Sequence, residues 1–463
     1  MSKITLTVIG GGSVNWMRGL MRDVYLLDEV EGGEIRLVDP NTVHVEAVAN
    51  MLRAFNRARG KAFAVSVVAD RREALAGSDF VMTTFSPGAM DGFYNDLEIP
   101  IKYGIRQPVS MTVGPCGISA ALRTVPVANQ IVQEMEALCP GAWLLNVTNP
   151  MSAVTNAMYQ AADTVHVVGM CHEFHSFSGH AGHILGLPKP DGMETLDYLY
   201  RWLPEQGLEF TVAGLNHFIW LTQARLNGED VLPRIRRFAQ EHEEVVPPDA
   251  VEGVVSPWHN RHAPKLAYCR QFGYLPLAGD RHLIEFWPSL CNMRNGFGMG
   301  YGVHKTTVDA RRHMKDRQLA EIQRIASGEQ PVDWTPSAEE MTEIMRAIIA
   351  GGSTPCIVNM PNQGQISNMP EGAVVETLGT VSAEGMVPKL SGELPGAVGS
   401  LCRLHADVHE LTVRAGLEGN RDLFVQALAL DPLSAGADFG EIDALADDLL
   451  QANREWLPRF FED

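Results

Sequence analysis

Five consecutive residues, Cys171-His172-Glu173-Phe174-His175, carry a thiol, two imidazoles and a carboxylate, and His180 and His183 follow within the next turns. Further along, Gly214-Leu215-Asn216-His217 places another imidazole just past a strand-like run. Thiolate and neutral imidazole together suit a borderline divalent transition metal such as Mn, Fe, Co or Zn, with Cys171 and His217 as the candidate ligands. The chain has no CxxC, so this is not zinc-finger spacing. A third cluster, Gly279-Asp280-Arg281-His282, sets a carboxylate beside a guanidinium and an imidazole. Any one of these histidines taken alone reads as a structural residue; their combination is what points to chemistry.

A second chemical signal lies near the N-terminus. Ile4 to Ile9 is rich in β-branched residues and stops at Gly10-Gly11-Gly12-Ser13, after which Met17, Leu20, Met21, Val24 and Leu27 recur at helical spacing. A glycine turn between strand and helix lets backbone N–H groups and the helix N-terminus approach a pyrophosphate. Asn15 replaces the third glycine of the usual fingerprint, but Asp39 ends the next strand, where its carboxylate would accept from the ribose 2′-OH of NAD and repel the 2′-phosphate of NADP. The predicted cofactor-binding set is Gly10, Gly12, Ser13, Asn15, Asp39, Thr84 and Asn146.

These residues need rigid elements to hold them. Strand-like runs at 34–38, 65–68, 80–85, 142–147 and 165–170 alternate with helical patterns, the longest at 117–137, which is the signature of βαβ units and a parallel sheet. Cys171 to Glu173 fall at the C-terminal end of one such strand, where open α/β sheets bind ligands. After about residue 195 the signals become mixed, with a strand at 208–213 and helices at 305–326, 336–349, 396–416, 419–430 and 439–453. The expected fold is α/β: an N-terminal Rossmann-like doubly wound sheet over 1–195 and a mixed α+β catalytic part over 196–463, on the lactate/malate dehydrogenase plan. Val245 to Asp249 and the stretch 291–302 read as surface loops.

Charge narrows the function. Lys and Arg number 37 against 56 Asp and Glu, a net −19 over 463 residues, which repels nucleic acid and anionic lipid. No apolar run approaches the roughly 20 residues of a membrane span, and the first residues lead directly into a strand without a leader pattern. Seven scattered cysteines, an odd number, read as reduced thiols, so the expected location is the cytoplasm.

The motifs VIGGGS (8–13), LVDP (37–40), GSDFVMTT (77–84), IPIKYG (99–104), GPCGISAALRTVP (114–126), NVTNP (146–150), GMCHEF (169–174), AGLNHFIWL (213–221), GDRH (279–282) and VNMPNQGQI (358–366) resemble, in this order, the NAD- and manganese-dependent glycoside hydrolases of family 4. The resemblance runs through most of the chain. It implies cleavage of a small-molecule glycoside by hydride transfer from sugar C3 to NAD⁺, removal of the acidified C2 proton, loss of the aglycone, addition of water and return of the hydride. It implies Mn²⁺ or another divalent transition metal on Cys171 and His217, Asp280 as base, His172 as leaving-group acid or substrate contact with Glu173 the weaker candidate acid, and substrate contacts from Asn149, Asn216, Arg281 and His282. It also implies a homodimer or homotetramer.

Departures sharpen the substrate. Family members acting on 6-phospho sugars carry an arginine before IPxKYG; here no Lys or Arg occurs from Glu73 to Ile101, so a sugar phosphate is excluded. The Cys171–Phe174 tetrad is similar to that of the α-glucosidase subgroup. Trp258-His259-Asn260-Arg261-His262-Ala263-Pro264-Lys265 and Arg281-His282 gather cations in an acidic chain, either as solvated or structural groups or to receive a uronic acid or sulfonated hexose. The expected substrate is an α-linked, non-phosphorylated glycoside, neutral (glucoside) or anionic (uronide or sulfoquinovoside). Two rival readings stand beside it: an NAD-dependent 2-hydroxy-acid dehydrogenase using His217 and Arg123, and a non-catalytic NAD-binding sensor.

Overall fold

The computed structural model describes residues 2–245 and 261–462, without the side chains of 176–181. Six parallel strands, β1 (Ser2–Ile9), β2 (Val30–Val38), β3 (Ala62–Val67), β4 (Phe80–Thr83), β5 (Trp143–Asn146) and β6 (His166–Gly169), stand in the order β3-β2-β1-β4-β5-β6. This is the doubly wound order, with a switch point between β1 and β4. β4 and β5 are buried along their whole length, which is why they read as unbroken apolar runs.

The sheet does not end at β6. Gly169 pairs with Asn359 of an antiparallel strand, and the remaining strands are β7 (Leu208–Leu215), β8 (Phe218–Leu226), β9 (Glu229–Asp230), β10 (Leu275–Pro276), β11 (Ser353–Pro361), β12 (Val374–Ser382) and β13 (Gly385–Pro388). The path continues β6-β11-β12-β7-β8-β10, with β13 on β12 and β9 on β8, giving 13 strands in one sheet among the described residues. The β11–β12 hairpin gave no alternating pattern because most of β11's second half and β12's first half are buried on both faces. The expected C-terminal helices are present as Val308–Ser327, Met341–Ala350, Gly396–Glu418, Arg421–Leu430 and Phe439–Ala452.

The stretch 291–302 contains two short 3₁₀ turns, and its Met293 is 81% exposed. Val246 to Asp249, and with them Trp258, His259 and Asn260, lie outside the described residues. Among the described residues no helix is long and apolar enough to cross a membrane.

One contact ties the long central helix, Gly114–Leu138, to the strand that ends at the cysteine. Glu136 accepts hydrogen bonds from the backbone N–H groups of Asp163, Thr164 and Val165 and from the Thr164 hydroxyl. Burial opposes ionisation, but these donors outweigh it and draw the carboxyl down to about 2. A carboxyl depressed in the folded state stabilises above its ordinary range and loses that contribution as pH falls toward 2. These bonds are open to solvent, which screens them, so Glu136→Gln is expected to cost about 0.5–1.5 kcal/mol at neutral pH. Denaturant melts at several pH values should show the deficit shrinking below pH 4; a constant deficit would contradict this assignment.

Candidate active site

The site forms where three chain segments meet beyond the C-terminal end of β6. The first is Cys171-His172-Glu173, with Glu173 opening the helix Glu173–Ile184. The second is the two-residue turn Asn216-His217 between β7 and β8, with His217 in the left-handed region at φ 61°. The third is the short helix Asp280–Leu283.

Glu173 joins all three. Its Oε2 accepts from the Gly279 N–H at 2.6 Å, and its Oε1 lies 3.8 Å from His172 Nε2 and 3.6 Å from His282 Nε2. Burial opposes the charge, but His172, the Gly279 N–H and Lys265 hold the carboxyl below its ordinary value. His172 also sets its Nδ1 2.8 Å from the Glu339 carboxylate, and its ring lies 5.8 Å from that of Trp16, beside the glycine turn. Against the pull of burial, Glu339 and Glu173 raise His172 to about 9, so the imidazole is a proton donor at neutral pH.

His217 is held in the opposite state. Its Nδ1 is 2.6 Å from Thr112 Oγ1, and its ring stacks on His282 with centroids 3.8 Å apart. Burial and the His282 ring hold it well below the usual histidine range. It is therefore a neutral imidazole with one nitrogen anchored by an outer partner, the state of a metal-ligating histidine. Burial, Glu376 and Glu173 push the Cys171 thiol up, while the Asn216 amide bonds to it. A cation beside this sulfur would offset the two carboxylates and favour thiolate. Asn216 donates to Glu376 at 3.1 Å, and its Oδ1 is buried without a partner, as is Oδ1 of Asn149. Burial raises Glu376 to about 8. Among the described residues no three His, Cys, Asp or Glu side chains group closely enough to hold a metal by themselves, so an ion here would complete its shell with water or substrate oxygens.

Asp280 is buried; it accepts from the His262 N–H at 2.6 Å and from Lys265 Nζ at 3.2 Å. Lys265, part of the expected cationic patch, is fully buried in that pair, whereas Arg261 pairs with Glu244 in partly exposed surroundings. Arg281 is buried and donates to Thr306 Oγ1 at 2.8 Å. Of the further histidines, His175 is buried against Glu340, His183 is exposed, and the side chain of His180 lies outside the described residues.

At the nucleotide end, Gly10 has φ +89°, and a Cβ there would lie 2.1 Å from the Thr84 carbonyl oxygen. Asp39 accepts from the N–H groups of Gly12 and Asn41 at 2.9 and 2.8 Å, closing the turn against β2. Ser13 and Thr84 hydroxyls are 3.4 Å apart across the turn, and Asn15 is exposed beside it. Asn146 is fully buried, its amide committed to Thr83, Thr148, Thr155 and Met151, so it shapes the strand end from within. Arg123, which the dehydrogenase reading needed as a substrate clamp, is buried in a bidentate pair with Asp96.

Trp16, Thr112, Lys265 as an ion-pair partner, Glu339 and Glu376 were not singled out from the sequence. Glu339 and Glu376 lie far along the chain in segments without a motif, and only the tertiary fold brings them to β6.

Two family models cover most of the chain: the family 4 glycosyl hydrolase matches residues 3–186 and its C-terminal domain matches 212–434. The α-galacturonidase of Thermoanaerobacterium saccharolyticum is 32% identical, covering 93% of this chain and 91% of that protein. A Bacillus subtilis crystal structure described as glucosidase lplD superposes with a TM-score of 0.85 at 29% identity, over 97% of this chain and 100% of that one. A 6-phospho-α-glucosidase from gut microorganisms, solved with NAD and Mn²⁺, shares the fold at a TM-score of 0.78 and 21% identity, over 98% and 99% of the two chains. With the glycine turn, the Cys171–Glu173 strand end and the Asn216-His217 turn converging in one fold, the chain belongs to glycosyl hydrolase family 4, outside its 6-phospho-sugar branch, and is a glycoside hydrolase.

Proposed function

We propose that the enzyme hydrolyses an α-linked hexuronide, of the α-galacturonide class, by redox-assisted elimination and hydration with NAD and Mn²⁺. The single observation that carries this reading is the approach of His172 and Glu173, which follow Cys171 in the chain, to the stacked His217–His282 pair beyond β6, with the His172 ring 5.8 Å from Trp16 beside the glycine turn. NAD⁺ when bound supplies a reversible hydride sink, and the divalent cation a Lewis acid for the sugar oxygens.

The protein's own groups then have separable tasks. Cys171 and His217 would hold the cation, and Asn149 and Asn216, whose Oδ1 atoms are buried and unpartnered, would accept from sugar hydroxyls. Asp280, whose carboxyl oxygens accept from the His262 N–H and Lys265 Nζ, would take the C2 proton, and His172 would give one to the departing oxygen. Asp39 would release one backbone N–H or share its carboxylate with the adenosine ribose.

Aryl α-galacturonide incubated with NAD⁺, Mn²⁺ and a thiol reductant tests this. Aglycone release without net NADH is expected, with loss of activity on chelation and recovery on adding Mn²⁺. NADH accumulation without aglycone release would contradict it in favour of a dehydrogenase.

A further inference from the structure

We infer that Arg311, paired with Arg281, is the receptor for the carboxylate at C6 of the sugar and so sets the preference for a uronide over a neutral hexoside. The inference rests on the glycosidase reading above and adds a residue that no motif marked. Arg311 lies in the first turns of the helix Val308–Ser327, with its guanidinium 4.3 Å over the Phe93 ring. Its Nη2 donates to the Val109 carbonyl at 3.0 Å, Nη1 lies 3.8 Å from Met111 Sδ, and Nε is buried without a partner. No carboxylate pairs with it among the described residues.

The segment Gln107–Thr112 links Arg311 to the site. Thr306, which receives the Arg281 hydrogen bond, donates its own N–H to Pro108; Thr112 holds His217; and Glu285 accepts from the N–H groups of Val109 and Ser110. Both guanidinium charges act on His282, which stacks on His217. They repel each other: burial and the Arg281 charge lower Arg311 to about 10. Glu285 compensates poorly, since burial raises it to about 7 and backbone donors together with Gln107 fix its carboxylate in place. A planar substrate carboxylate would relieve this excess positive charge and satisfy Nε, whereas a hydroxymethyl group could do neither.

The rival occupant is the cofactor's pyrophosphate, because the Lys315 ammonium interacts with both Arg311 and Asp39. Wild type, Arg311→Met and Arg311→Lys should be compared on aryl α-galacturonide and aryl α-galactoside with NAD⁺ and Mn²⁺. Thermal shifts by free galacturonate and galactose, and the NAD⁺ dissociation constant, should be measured alongside. Arg311→Met is expected to lose about 100-fold in kcat/KM on the galacturonide and less than about threefold on the galactoside, to lose the galacturonate-induced shift, and to keep its NAD⁺ affinity. Arg311→Lys should recover part of the galacturonide rate. Equal losses on both sugars, or weakened NAD⁺ binding with an unchanged sugar ratio, would overturn the inference while leaving the glycosidase reading intact. If wild type cleaves neither glycoside and galacturonate gives no shift, both fall.

Discussion

Cys171→Ser is expected to reduce kcat by more than about 100-fold while NAD⁺ affinity changes less than about twofold. The lower bound follows from metal sites in which even the partners of ligands cost 10–100-fold when removed. A hydroxyl is a harder, far less acidic donor than a thiol, and Cys171 already sits against Glu376 and Glu173, which disfavour a further anion until a cation arrives. The glycine turn is a separate element on β1, so the nucleotide should still bind. Activity against Mn²⁺ concentration, with NAD⁺ affinity followed by fluorescence, checks both halves. Undiminished kcat at ordinary Mn²⁺ would show that the sulfur is not a ligand.

The second large effect concerns Asp280. Asp280→Asn is expected to reduce kcat by roughly 10²–10⁴-fold if the carboxylate removes the C2 proton. The same substitution leaves Lys265 buried without its carboxylate, and breaking such a pair costs about 3–5 kcal/mol. The two consequences separate in the double variant Asp280→Asn/Lys265→Met. An apolar side chain in place of the ammonium should return most of the stability, because replacing both partners of a buried pair is close to neutral. The account predicts that melting temperature recovers and activity does not. Recovery of both would reduce Asp280 to an anchor for Lys265.

Much of this site was legible from local sequence because its parts are contiguous. The Cys171–Glu173 run, the Asn216-His217 turn and the Gly279–His282 turn each sit at the end of a strand or the start of a helix, positions that strand-like runs mark without knowledge of the fold. The parallel half of the sheet was legible for the same reason: short apolar strands bounded by glycine, proline and helical repeats. Of the antiparallel half β7 was marked, at 208–213, but β11 and β12 were not, since they are buried on both faces where they cross the molecule and carry no two-residue alternation. Nor could sequence reveal that Asp280 is matched to Lys265, that Glu339 holds His172, or that Arg311 reaches the site from a helix whose mean pattern is polar. Those relations depend on packing between segments far apart in the chain. The expected cationic patch illustrates the point: Lys265 and Arg281 are buried structural or site groups, whereas Arg261 is a partly exposed partner of Glu244.

The account stands on removal of the sugar's C2 hydrogen during turnover. Hydrolysis of an aryl α-galacturonide in D₂O with NAD⁺ and Mn²⁺, followed by NMR of the released uronic acid, reports on that atom directly. Deuterium at C2 of the product is the predicted result. Complete retention of protium at C2, with the aglycone released at a normal rate, would mean that the glycosidic bond is displaced without elimination and would contradict the account.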